Sequence, residues 1–295
     1  ARDFKKEKSG YVQFLSGDNE ANRNWQLTVL ANATDAEGYS SYKDFYKMGY
    51  ELFTDNKATT QTAPDKQHGY GKWKQNLTLP SSWEYHGFDS SIYINDQVPW
   101  QPPKNEQNLR ASEYAPQVPE EYTPVGLYRK FFTVNEGLTK ANGRIYLNFQ
   151  GVEAAYYVYL NGQPVGYSED TYSPHSFDVT DYLTKDGSPN LLAVEVHKFC
   201  DGTWFELQDM YRDGGIFRDV YLYAAPAVHL EDYTVVTDLD AAYTNARVKL
   251  DVAVRNNSTM AQNGWKVVAQ LFNAEDTTNP VSTQTITVSQ IAEET

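Results

Sequence analysis

Between Leu127 and Leu222 the sequence passes through five strand-length segments that alternate or run apolar: Leu127–Val134, Gly143–Phe149, Ala155–Leu160, Asn190–His197 and Ile216–Leu222. None carries the 3.6-residue period of a helix, so the segments predict strands. Asn161-Gly162 separates Tyr159-Leu160 from Val165-Gly166-Tyr167. Both residues tolerate the positive φ of a type I′ turn, which makes this pair a strong hairpin signal. Many short strands closed by such turns fit a β-sandwich or jelly roll. The 23 Tyr, 13 Phe and 6 Trp, set against 18 Gly and 13 Pro, suit pleated sheets joined by turns and point the same way.

Strand signals extend to both sides of this block. Gln26–Leu30 is the first convincing strand, and Trp73–Pro80 alternates with period two until a proline stops it. From Pro99 to Pro124 six prolines remove too many N–H donors for a central strand or helix, so the segment reads as a long extended loop. After Pro226 a new series begins with His229–Val236, Arg247–Val254 and Trp265–Phe272. Its alternation resembles an immunoglobulin-type sandwich, but residues 229–295 fall short of the ~100 residues and seven strands of that fold. The expectation is therefore all-β: a jelly-roll, galactose-binding-like β-sandwich over 1–228, then an incomplete immunoglobulin-like β-sandwich over 229–295.

Charge narrows the partners. With 25 Lys plus Arg against 39 Asp plus Glu, the formal balance is −14, which disfavours nucleic acid and anionic membrane and suits a neutral ligand. No apolar run of about 18 residues is present to cross a membrane as a helix, and no signal-peptide pattern opens the chain. The single cysteine, Cys200, cannot form an internal disulfide and reads as a small packed hydrophobe. One cysteine leaves the compartment open, while the acidic, Tyr- and Asn-rich composition leans towards a secreted or surface protein.

Catalytic signatures are missing from these residues. No Asn-Glu pair follows a buried parallel strand; those at 19, 105 and 135 lie in polar or turn sequence. The five histidines show no metal-ligand spacing, and there is no nucleophile elbow, phosphate loop or dinucleotide fingerprint. Two loop sequences stand out instead: Pro80–Asp89 leading to Ile92–Asp96, and Phe199–Arg212. Sugars offer hydroxyls that want short planar acceptors and C–H faces that want aromatic rings, so Asn, Asp and Trp on loops suit a carbohydrate site. The same residues also read as core plugs, Trp83 and Trp204, and a plain turn, Asp201-Gly202.

The order of these segments adds information. Leu79–Trp83, His86–Asp89, Ile92–Asn95, Gly126–Arg129, Asn161-Gly162 with Val165–Ser168, Phe177–Thr180, Asp201–Arg212 and Gly215–Val220 together resemble the N-terminal domain of β-galactosidases of glycoside hydrolase family 2. The likeness is strong over about residues 70–236 and loose before them. It implies a jelly roll, an immunoglobulin-like domain and then a TIM barrel holding both catalytic glutamates, so this chain would be a non-catalytic fragment. It also implies a retaining hydrolase of terminal β-D-galactosides whose partners are a galactoside, its own C-terminal barrel and further β domains.

On the same grounds Asn95, Asp96 and Asp201 would contact galactose, while Trp204, Gln208, Asp209 and Arg212 would support the loop of Asp201. Asp201 would be a sodium ligand in the full enzyme only. Sodium and magnesium would belong to that enzyme, and the fragment would hold no cofactor. The alternatives are a stand-alone carbohydrate-binding module, or a module of another family 2 enzyme such as a β-glucuronidase or β-mannosidase. The proline-rich loop 101–125 departs from the family pattern and bears on access to the site.

Overall fold

The computed structural model describes residues 11–33, 42–52, 69–94, 100, 118, 122–140, 143–206 and 208–293. Along the chain these form β1 (Val12–Phe14), β2 (Trp25–Leu30), β3 (Lys74–Leu77), β4 (Ile92–Ile94) and β5 (Val125–Phe132). A five-residue helix follows, α1 (Glu136–Lys140), and then β6 (Gly143–Phe149), β7 (Val152–Glu153), β8 (Ala155–Leu160), β9 (Gln163–Ser168), β10 (His175–Asp178) and β11 (Asn190–His197). The remainder are β12 (Met210–Arg212), β13 (Gly215–Ile216), β14 (Val220–Pro226), β15 (Val228–Leu239), β16 (Ala246–Asn256), β17 (Gln262–Asn273) and β18 (Asp276–Ile291). The chain divides into two compact units, 1–140 with 145–223, and 141–144 with 224–295.

The first unit is a sandwich. One sheet runs β1-β14-β6-β10 and the other β3-β2-β5-β11-β8-β9. Alternate residues of β6, namely Ile145, Leu147 and Phe149, are buried. They face buried Tyr156 and Val158 of β8, and the Phe149 and Tyr156 rings meet across the sheets at 5.1 Å. The Asn161-Gly162 turn forms as the sequence predicts, with φ of 52° and 83° joining β8 to β9. Asn161 also holds the next layer: its amide donates to Tyr182 O and Asn190 Oδ1, and its Oδ1 accepts from Leu191 N.

Simple alternation fails on the six-stranded sheet, because both of its faces are covered. Tyr42 and Phe45 pack on the outer face against Leu30, Val125, Leu127 and Ala193. Arg129 and Lys130, which alternation would expose in turn, are each 1% exposed. Arg129 donates to Phe45 O at 2.5 Å, and Lys130 donates to Asn24 Oδ1 and Ala21 O. Burial lowers both, Lys130 to about 8 and Arg129 to about 10.

One predicted strand needs correction. Ile216–Leu222 is not one strand: β13 ends at Ile216 and β14 begins at Val220, so Arg218 and Asp219 lie between strands. Both are structural there, since Arg218 donates to Tyr172 O at 2.8 Å and Asp219 accepts from Ser16. The run Val196–Cys200 leaves the sheet at His197. Finally α1 and the sixteen-residue β18 carry no recognised signal. The proline-rich loop 101–125 lies mostly outside the described residues.

Two antiparallel hairpins, β15–β16 and β17–β18, make up most of the second unit. Their apolar side chains stay open: Val236, Trp265 and Ile286 are 49%, 43% and 65% exposed.

Candidate functional site

Strand β11 delivers the chain to the site. Beyond His197 come three buried residues, Lys198, Phe199 and Cys200, and then a 3-10 turn over Asp201–Trp204. Thr203 closes the turn by accepting Cys200 N at 3.0 Å, and Trp204 anchors it from below. Trp204 stacks obliquely on Trp100 at 5.6 Å, and Trp100 meets Phe199 edge-on at 5.5 Å. Apolar burial thus pins both ends of the turn while Asp201 remains exposed. Trp204 thus lies in a buried aromatic cluster with Trp100 and Phe199, and Trp83, with 0% exposure, is a core plug.

Cys200 packs with Ala154 and Ala155 as a small hydrophobe, and burial raises its thiol pKa. The ligand atoms of Glu169, Cys200 and Asp201 lie within 4.8 Å of one another. Two carboxylates are hard donors suited to sodium or magnesium, whereas a protonated thiol is not. Glu169 and Asp201 thus fit such a cation in part, and other groups would have to fill its coordination shell.

Asp201 and Glu169 line a groove of about 600 Å³ with Tyr157, Tyr167, His197 and Phe199. Tyr157 and Tyr167 face each other in register, with ring centroids 4.7 Å apart, and His197 meets the Tyr157 edge at 5.8 Å. Tyr167 Oη donates to Glu169 at 2.7 Å, and His197 pairs with Glu195 at 3.0 Å. Partial burial first, and this carboxylate second, raise the Tyr167 hydroxyl pKa. Apolar ring faces beside hydrogen-bonding carboxylates are the chemistry a sugar ring calls for.

Arg212 organises the far end of the same loop. It is 2% exposed, pairs with Glu153 Oε1 at 3.2 Å, and donates to Gln208 Oε1 at 2.8 Å and to Glu206 O. Burial, only partly offset by Arg212, pushes the Glu153 carboxyl up to about 7. Gln208, itself exposed, is thus held by buried Arg212. Asp209 does not join them: it is exposed and accepts a hydrogen bond from Tyr93. That bond spans the β4–β12 pair, which sets Ile94 opposite Met210. Asn95 and Asp96 lie outside the described residues.

Sequence reasoning missed the charged residues that hold this region together. Lys198 sits fully buried between Glu84 and Asp89, at 2.7 and 2.6 Å. The available signal was a lysine directly before Phe199 and Cys200 in the strand-like run Val196–Cys200.

Residues 50–226 match the family described as glycosyl hydrolases family 2, sugar binding domain, which is more than half of the chain. The chain belongs to glycosyl hydrolase family 2. Among curated relatives, a β-galactosidase of Clostridium acetobutylicum is 40% identical over 233 residues, covering 71% of this chain and 25% of the relative. A β-galactosidase large subunit of Latilactobacillus sakei is 34% identical, over 83% of this chain and 34% of its own length. The chain therefore spans between a quarter and about a third of these two family 2 proteins. Among solved structures, a Bacteroides uniformis β-glucuronidase superposes with a TM-score of 0.60 at 18% identity, over 95% of this chain and 26% of that one. At that identity the likeness shows a shared fold and nothing finer.

Proposed function

We propose that this chain is the non-catalytic sugar-binding front end of a β-galactosidase, an enzyme that hydrolyses terminal β-D-galactosides with retention. In this reading Asp201, with Asn95 and Asp96, shapes the galactose subsite, and the chain docks on a TIM barrel that carries both catalytic glutamates outside this sequence. Trp204, Gln208 and Arg212 support the Asp201 loop. Sodium, with Asp201 among its ligands, and magnesium belong to the whole enzyme.

The observation that carries the proposal is the exposure of Asp201 on an aromatic groove, at the start of a turn held by buried Phe199, Cys200 and Trp204. A side chain that served only to close the turn would gain nothing from an open groove, whereas a sugar hydroxyl can reach it there. The groove's charge favours a neutral sugar over a uronic acid, because Glu169, Asp201 and the nearby Glu195 would repel a substrate carboxylate.

The test uses the full-length enzyme that carries this chain. Asp201→Ala should lower kcat/KM for a nitrophenyl galactoside about tenfold or more, the cost of one charge-assisted hydrogen bond, without lowering the melting temperature. An unchanged rate removes Asp201 from the site. The 295-residue chain alone should show no turnover. Clear millimolar binding of galactose or lactose by this chain alone would favour a stand-alone carbohydrate-binding module instead.

A further inference from the structure

Lys198 has no access to solvent, and all three of its ammonium protons are committed: to Glu84 Oε1 at 2.7 Å, to Asp89 Oδ2 at 2.6 Å and to Ser90 O at 3.0 Å. Both carboxylate partners are fixed in turn. Both oxygens of Glu84 accept Gly214 N at 3.1 Å, and Asp89 Oδ1 accepts the hydroxyls of Tyr70 and Tyr122 at 2.6 and 3.3 Å. The Lys198 backbone donates to Pro124 O at 3.0 Å. One ammonium thus ties the 84–90 segment to the end of β11, while Glu84 and Tyr122 tie in Gly214 and the approach to β5.

Two of these segments lead to the proposed sugar contacts. Asp201 follows Lys198 by three residues, and the 84–90 segment continues through β4 into Asn95. A buried ion cluster is no more stabilising than apolar packing of the same volume, because desolvation offsets the attraction. What a lysine with three directed bonds adds, and a leucine cannot, is a fixed spacing between the segments it joins.

We infer that Lys198 is a positioning residue of the sugar site, holding the segment that carries Asp201 at a set spacing from the 84–90 segment. The inference rests on the proposed role of Asp201, and a cycle of variants in the full-length enzyme separates the two. Lys198→Met and Asp89→Asn should each lower kcat/KM for a nitrophenyl galactoside about tenfold to a hundredfold, the cost of a displaced contact. Lys198→Arg should recover part of that loss.

In an Asp201→Ala background the further loss from Lys198→Met or Asp89→Asn should shrink to about twofold or less, since the contact being positioned is already gone. Loss of general packing would not produce this coupling. Asp89→Asn keeps the size of the native residue but puts an amide donor where one of two accepting oxygens stood, so it loosens the cluster without opening a cavity and carries the test if Lys198→Met does not fold. Losses that multiply in the Asp201→Ala background, or folded variants with unchanged kcat/KM, would overturn the inference and leave Asp201 in place. An Asp201→Ala enzyme of full activity would overturn both.

Discussion

Glu153 offers a test of the site's electrostatics that needs only this chain. Its carboxyl is 5% exposed, and burial raises it from its ordinary value of 4.5 to about 7 in spite of Arg212. The folded state therefore holds this proton more tightly than the unfolded chain does. The stabilisation it supplies is complete below about pH 4.5 and is lost as pH rises through about 7. Between pH 5 and pH 8 that loss amounts to roughly 2–3 kcal/mol, at 1.36 kcal/mol per pH unit of difference.

Glu153→Gln mimics the protonated carboxyl at every pH. The variant should match the parent at pH 5 and exceed it in stability at pH 8 by roughly 2 kcal/mol. Denaturant unfolding followed by tryptophan fluorescence at the two pH values measures this, since five of the six tryptophans lie in the sandwich unit. Glu84 and Glu206 are also raised by burial and drift in the same direction, but the difference between variant and parent cancels them. A stability difference that is equal at both pH values, or that favours the parent at pH 8, would refute the electrostatic account of the Glu153–Arg212 pair.

Gly214→Ala should destabilise the chain by about 2 kcal/mol or more, because its Cβ would fall 2.0 Å from the buried Trp83 ring; a neutral result in the same unfolding assay would contradict this packing. The Cys200 thiol, buried and with a raised pKa, should react slowly with a disulfide reagent at pH 8 and rapidly in denaturant, and fast labelling of the native chain would show that the turn opens.

Much of the sandwich is legible in the sequence because strand periodicity is local. Gly143–Phe149, Ala155–Leu160 and Asn190–His197 form strands with the predicted bounds, and Asn161-Gly162 turns where its φ preferences require. The pairing of Gln208 with Arg212 was also within reach, four residues apart on one loop. Other features depend on distant segments. Nothing local to Arg129 and Lys130 says that Tyr42 and Phe45 will cover one face of β5, or that Asn24 will meet the lysine on the other.

For the site, the order of motifs was enough to mark Asp201 as a candidate and to place this chain among family 2 sugar-binding domains. Tertiary structure alone decided that Asp201 stands exposed on a groove floored by tyrosines from β8 and β9. It also decided that Asp209 bonds to Tyr93 across a strand pair rather than joining Arg212. Lys198 shows the physical reason most plainly. Its two carboxylate partners are 114 and 109 residues away, and a charge so buried is stable only once folding has brought them within hydrogen-bond reach.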